Sequence, residues 1–448
     1  MAAKDSRLAV FANLSGGWVP CSQLQLTETA NTLIASSLAY GLNYLKRSNA
    51  IEIDPVGLGL SDRQAIQGVR LQPPNRLAFF GGIRDAAPDA WGRRVIEAKL
   101  KVPANSLPES QYLLHAGSER VGALDIRATL NDAPNAATGQ LHTLAYLMEA
   151  AQRIEAGLPV PAQLDAIFIN GTAMGGARPK ASVRDESGVL WLAKFASGQD
   201  RIDVPLIEYA ALQLGREASL NVPPVRTLQV GDRRVMMIRR FDRYWASTGE
   251  LPTPHIPFTD TIPTPGAAEH RLAFNSGLTW VGCDESESRE KSYGDLAEAI
   301  RRYAHPSVIR SDNAELFKRM IFNILVSNDD DHLRNHGFIW DPRLPGWRLS
   351  PLYDVMPRPS LATERFLHLG IGPQGRVATL DNALASHARF TLSEREAALL
   401  IGQVWGVVRE WRVYFERDGV PDSEIELIAP AFRHIDTVSS HELRRKLP

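Results

Sequence analysis

Residues 321–340 read IFNILVSNDDDHLRNHGFIW. An apolar run of Ile321, Phe322, Ile324, Leu325 and Val326 gives way to Ser327 and Asn328, then to the adjacent carboxylates Asp329, Asp330 and Asp331, and to His332. Arg334, Asn335 and His336 follow, and Gly337-Phe338-Ile339-Trp340 has the character of a strand. Adjacent carboxylates repel one another and resist desolvation, a cost that a cation and hydrogen bonds remove. Helical periodicity over 313–326 makes the acidic residues a loop at the end of a helix.

Asp330 and Asn335 have the D-x-x-x-x-N spacing, in which the Asp accepts the proton of an attacking hydroxyl and the Asn holds Mg²⁺. A second strand-like run, Trp347-Arg348-Leu349, is followed by Pro351-Leu352-Tyr353-Asp354. Asp354 can supply a second hard-oxygen ligand, so the series points to phosphoryl transfer. Plainer readings compete. An acidic cluster is often a solvated loop or a helix cap. His332 and His336, at i and i+4, could bind zinc, but Leu333 stands where a zincin has Glu.

A chain of 448 residues can bury a large core or form about two to three domains. Hydrophobic content of 44% and charged content of 23% are those of a soluble globular protein. A net charge of −1 predicts no overall attraction to nucleic acid or anionic membrane. Cys21 and Cys283 make no disulfide framework, which fits a reducing cytoplasm. The opening MAAKDSRLAV lacks the apolar core of a signal peptide, and no run approaches the roughly 18 apolar residues of a membrane helix.

Taken in order, 7–14 reads as a strand, with weaker strand signals at 21–26 and 35–40. Pro88 fits the first turn of a helix through Trp91, Val95, Ile96 and Leu100. A short helix at 111–116 and a strand near 121–124 complete a small α+β domain over 1–130. A helix is expected at 141–154. Gly171, Gly175 and Gly176, followed by Arg178 and Lys180, permit a tight loop whose N–H groups cradle phosphates; a hairpin turn is the competing reading. Residues 189–195 form a strand broken by Lys194, and a helix at 206–214 carries Glu208 in its first turn. Lys194 resembles a phosphate-binding strand lysine paired with a helix Glu, or else the solvent face of an edge strand. A hairpin of 225–230 and 235–238 turns at Gly231-Asp232 and exits through Arg239–Tyr244. The Pro-, Thr- and Ser-rich stretch 245–282 reads as a long loop open to substrate or partner. Helices are expected at 293–303, 393–417 and 424–435, and the tail HELRRKLP as frayed.

In this order the motifs resemble the HipA family of bacterial serine/threonine kinases, toxins of HipA/HipB toxin–antitoxin pairs. The likeness rests on Gly-Gly-Ala-Arg-Pro-Lys (175–180), Ile-Arg-Arg-Phe-Asp-Arg (238–243), Asn-Asp-Asp-Asp-His-Leu-Arg-Asn (328–335) and Leu-Tyr-Asp (352–354). Phe-Phe-Gly-Gly-Ile-Arg-Asp-Ala-Ala-Pro-Asp (79–89) and Val-Gly-Ala-Leu (121–124) extend it over nearly the whole chain. The resemblance implies an α+β, two-lobed protein-kinase-like fold of the phosphoinositide-kinase type. It would comprise an N-terminal subdomain (1–130), an N-lobe (131–245) and a mostly helical C-lobe (246–448). It implies ATP and Mg²⁺, with Gly175, Gly176, Ala177, Arg178 and Lys180 over the phosphates and Lys194 holding them. Arg239, Arg240 and Phe241 would form the hinge, and His332 and Tyr353 would line the nucleotide site. Asp330 would be the base, and Asn335 and Asp354 the metal ligands.

It also implies phosphorylation of a translation factor such as an aminoacyl-tRNA synthetase, leading to dormancy and persistence. The implied partner is a HipB-like antitoxin that makes most of the contact with DNA. Three departures stand out. Ala173 occupies the place of a self-phosphorylated loop serine, leaving Thr172 as the nearest hydroxyl for that role. Arg239 replaces an acidic residue, and Asp329 is an extra carboxylate. An inactive kinase-like binding protein and a small-molecule phosphotransferase are the alternatives.

Overall fold

The computed structural model describes residues 3–135, 139–140, 143–170, 176–247 and 249–448. The chain sorts into two compact units, one of residues 1–200 with 228–275 and the other of 201–227 with 276–448. The boundary expected near residue 130 falls inside the first of these.

The first unit opens with an antiparallel sheet of β1 (Lys4–Leu14), β2 (Gly17–Thr29), β3 (Thr32–Tyr40) and β4 (Leu124–Arg127), in the order β3-β2-β1-β4. The second half of β1 is continuously buried and, apart from Asn13, apolar, as suits a central strand, whereas β2 alternates. The weak signal over 35–40 becomes a full strand because small side chains pack there; the Ser36 hydroxyl donates to Ala78 O at 2.7 Å. Val10, Leu24, Leu26, Leu38, Phe80, Ile83 and Leu113 make its core.

A second sheet has β5 (Gly139–Gln140), β6 (Lys180–Arg184), β7 (Leu190–Phe195), β8 (Val225–Val230) and β9 (Arg233–Arg239), in the order β5-β6-β7-β9-β8. It packs on a core that includes Trp91, Val95, Leu147 and Ile167. The helix Ala90–Leu100 is capped by Asp89, whose side chain accepts from the Ala90 N–H; Pro88 precedes this cap and does not occupy the first turn. The stretch expected to be a long loop contains two paired antiparallel strands, β10 (Arg243–Ser247) and β11 (Ala267–Arg271). Buried Tyr244 and His270, stacked at 5.0 Å, supply the apolar contact that Pro- and Thr-rich composition conceals.

The second unit is mainly helical. Its helices include Val204–Glu217, Tyr293–Tyr303, Ile309–Val326, Glu394–Val408 and Trp411–Arg417, and it carries a hairpin of Gly337–Asp341 with Gly346–Leu349. Asp203 caps the first helix, so Glu208 lies in the second turn and not the first. The helix expected over 393–417 breaks at Arg409-Glu410. The tail is not frayed: Ser440 caps a helix at His441–Lys446, and Leu443 is buried. Among the described residues no helix is long and apolar enough to cross a membrane.

Asp312, on Ile309–Val326, accepts from the Leu349 N–H at 2.6 Å, while the Arg348 guanidinium lies 3.7 Å away. Burial pushes its carboxyl up to about 6. The folded state therefore holds this proton more tightly than the unfolded chain does. The contribution to stability is complete below the ordinary carboxylate value and is lost as pH rises through about 6. We expect Asp312→Asn to flatten the fall in stability across that window, read as denaturation midpoints at a series of pH values.

Candidate functional site

The acidic loop is built by the end of Ile309–Val326. Ser327 takes a left-handed conformation (φ 51°), and the Asn328 N–H donates back to Asn323 O at 3.0 Å, closing the helix. The carboxylates then part company, which relieves their repulsion. Asp331 turns inward and is buried. It accepts from the Tyr293 hydroxyl and pairs with His336 Nε2 at 3.0 Å. Asn323 Nδ2 donates to the Tyr293 hydroxyl and Asn328 Nδ2 to Asn323 Oδ1, both at 3.1 Å. Burial alone would raise the Asp331 carboxyl, but His336 and Tyr293 outweigh it and hold the group below its ordinary value.

Asp331 thus contributes stability above the ordinary carboxylate range that is lost as pH falls through its lower folded value. We expect Asp331→Ala to cost about 3–5 kcal/mol in denaturant unfolding, because it strands buried partners. This pairing also takes His336 away from any zinc role with His332. His332 has its ring edge-on to His368 at 5.8 Å, and His368 Nε2 meets the Ser288 hydroxyl at 3.0 Å.

Asp329 and Asp330 face outward. Arg358 Nη2 donates to Asp330 Oδ2 at 2.6 Å, and its Nε lies 3.3 Å from Asp329 Oδ1. Sequence reasoning missed this arginine. Its one local signal is the pair of flanking prolines, Pro357 and Pro359, which stiffen the segment after Asp354. The Asp330 carbonyl accepts from Asn335 Nδ2 at 3.0 Å and from the His332 N–H at 2.8 Å. With its nitrogen so engaged, the Asn335 side chain offers its oxygen as a ligand. The Tyr353 hydroxyl donates to Arg334 O at 2.8 Å, tying the turn that bears Asp354 to the turn that bears Asn335. Asp354 is exposed.

The first unit holds the other expected residues. Lys194 on β7 stands opposite Lys180 on β6 and Met236 on β9, and both lysines are buried. Directly opposed residues share a sheet face, so two ammonium groups concentrate positive charge there. Gly175, Ala173 and Thr172 lie outside the described residues. Gly176 has φ 91°, a backbone shape that strains any residue with a Cβ, so glycine suits this position. Its N–H, expected to cradle phosphate, donates instead to Asp89 Oδ2 at 2.8 Å. Ala177 and Arg178 are exposed, and Arg178 pairs with Asp200.

The side chains of the expected hinge are engaged within the first unit. Arg239 donates to Thr261 O, and the Arg240 N–H donates to Leu190 O at 3.1 Å. The Arg240 guanidinium is buried on Asp242, with Nη2 to Oδ2 at 2.6 Å. Arg243 Nη1 donates to the same oxygen at 2.7 Å. Phe241 lies against Phe274, with ring centroids 6.1 Å apart. These side chains hold the fold together, because a buried guanidinium is costly unless carboxylate or carbonyl oxygens meet it. Glu208, buried, belongs to the second unit.

The donor chemistry fits the groups that the resemblance implies. Asn335 and Asp354 offer oxygens of the kind Mg²⁺ takes, and the paired lysines suit an anionic phosphate chain.

Comparison with known proteins bears on this arrangement. Residues 172–411 match the family model described as the HipA-like C-terminal domain. Two proteins of Sinorhizobium fredii (strain NBRC 101917 / NGR234) are similar. "Putative kinase Y4dM" is 25% identical over 271 residues, 57% of this chain and 57% of that protein. "Putative kinase Y4mE" is 26% identical over 168 residues, 36% of this chain and 35% of that protein. The chain therefore spans from about a third to a little over half the length of these curated relatives. A chain of the solved Shewanella oneidensis MR-1 complex of HipA, HipB and operator DNA superposes with a TM-score of 0.61 at 15% identity. The match covers 98% of this chain and 96% of that one. The fold is thus the mixed α/β kinase-like fold of HipA. Since residues 172–411 are more than half of the 448, and the acidic loop lies within them, the chain belongs to the HipA-like C-terminal domain family.

Proposed function

We propose that the protein is an ATP- and Mg²⁺-dependent protein serine/threonine kinase of the HipA kind. The observation that carries this reading is the junction of Asp330, Asn335 and Asp354. The side chain of Asn335 is bonded to the backbone of Asp330, and Tyr353 is bonded to the residue before Asn335. Asp330, whose carboxylate faces outward, accepts the proton of the acceptor hydroxyl. Lys194, with Lys180 beside it, neutralises phosphate charge. Asn335 and Asp354 would hold Mg²⁺, which when bound lowers the negative charge that the acceptor oxygen meets. Arg358 keeps the Asp330 carboxylate oriented until the hydroxyl takes that place.

The names of the two Sinorhizobium proteins support a kinase. The solved complex supports a HipB-like DNA-binding partner and a toxin role for this chain. On our reading the substrate is a translation factor such as an aminoacyl-tRNA synthetase. Incubating the full chain with γ-labelled ATP and cell lysate tests the reading. Label in a protein band supports it. Label in a metabolite alone would make the protein a small-molecule phosphotransferase. Bound nucleotide without transfer would make it an inactive binding protein.

A further inference from the structure

Several buried guanidinium groups in this protein meet carboxylates. Arg120 has Asp125, Arg240 has Asp242, and Arg319 has Glu315. Arg365 and Arg433, in the second unit, depart from this pattern. Arg365 is half-buried and donates to Ser327 Oγ at 2.5 Å, Ser360 O at 2.5 Å, Ala362 O at 3.2 Å and Ala431 O at 3.3 Å. Arg433 is 7% exposed and donates to Thr437 O at 3.1 Å and Thr363 O at 3.3 Å. All of these acceptors are neutral. Arg433 Nη1 is buried with no acceptor. Among the described residues neither arginine forms an ion pair, and Asp329, the carboxylate that Arg365 feels, lies against Arg358 at 3.3 Å. Burial, with Arg365 close by, pushes the Arg433 guanidinium down to about 10. Two charges are thus taken from water and set near each other without a counter-charge, an arrangement that an anion relieves.

We propose that Arg365 and Arg433 form a binding site for a phosphate monoester. Two planar guanidinium forks match phosphate oxygens in geometry and charge. The neighbouring Ser327 hydroxyl, which donates to Ala431 O at 2.6 Å, is a further donor at hand. Entry displaces the turn 360–364, whose carbonyls hold both arginines. That turn is open to solvent, with Leu361 93% exposed and Thr363 exposed. Ser327 directly precedes the acidic loop, so an occupant would set the position of the residues leading to Asp330.

The phosphate has two sources: a phosphoryl group on Thr363 of the turn itself, or one carried by a ligand. The site does not depend on the phosphoryl-transfer reading. The test uses the full chain, treated with phosphatase, melted in inorganic phosphate and in chloride at equal ionic strength. Phosphate is expected to raise the melting temperature by about 1–3 °C. Arg365→Gln should abolish the rise, Arg433→Lys should weaken it, and Lys194→Met, which disables the other phosphate-binding region, should retain it. No rise, or a rise that survives Arg365→Gln, overturns the proposal. Mass spectrometry of the chain before phosphatase treatment separates the sources. Modified Thr363 assigns the site to the chain's own turn, and unmodified Thr363 with the response intact assigns it to a ligand's phosphate.

Discussion

Asp330→Asn is expected to lower phosphoryl transfer by about 10²–10⁴-fold, the usual worth of a positioned general base, while nucleotide binding persists. The substitution is a clean one. The hydrogen bonds that shape the loop, from Asn335 Nδ2 and the His332 N–H, end on the backbone oxygen of Asp330 and survive the exchange. The side chain itself is outward-facing, and its ion-pair partner among the described residues is Arg358. A folding defect would therefore be a poor explanation for lost activity. The measurement is transfer of labelled phosphate beside equilibrium binding of a fluorescent nucleotide. Undiminished transfer would sink the assignment of Asp330 as base.

The second large effect is on stability. Asp242→Ala should cost about 3–5 kcal/mol and in practice unfold much of the first unit. Its buried carboxylate accepts from Arg240 Nε at 2.7 Å and Nη2 at 2.6 Å, from Arg243 Nη1 at 2.7 Å and from the Gly122 N–H at 2.7 Å. Burial would raise the acid, and the two guanidinium groups hold it well below its ordinary value instead. Removal leaves two cations and a backbone donor unanswered in the interior. Chemical denaturation of the two variants, Asp242→Ala and Asp242→Asn, checks this, with Asn expected to be the milder because it can still accept. An Ala variant as stable as the wild type would show that the arginines find other partners.

These two residues also show what a sequence can and cannot disclose. The spacing of Asp330, Asn335 and Asp354 is local, so motif reading finds it. The division of labour among Asp329, Asp330 and Asp331 is not local. It depends on Tyr293, 38 residues before Asp331, and on Arg358, 28 residues after Asp330. The arginines of 238–243 carry a motif whose likeness suggested a nucleotide hinge. Their side chains reach backbone groups at residues 119–122, about 120 positions away, which no periodicity announces. Helices with strong amphipathic rhythm, such as Tyr293–Tyr303, were legible to the residue. β10 and β11 were not, because Pro and Thr content masks strands whose stability comes from a few buried rings.

Asp354 has φ 61°, a backbone shape that glycine, asparagine and aspartate tolerate and other side chains resist. The position therefore sorts replacements by handedness before it sorts them by chemistry. An alanine there would add about 1–3 kcal/mol of conformational strain and blur any conclusion about a lost ligand oxygen. Asparagine keeps the twist and changes the charge alone. A lineage that abandoned the chemistry would for the same reason be expected to drift toward Asn or Gly at this point, leaving a trace of the old site in the shape of the chain.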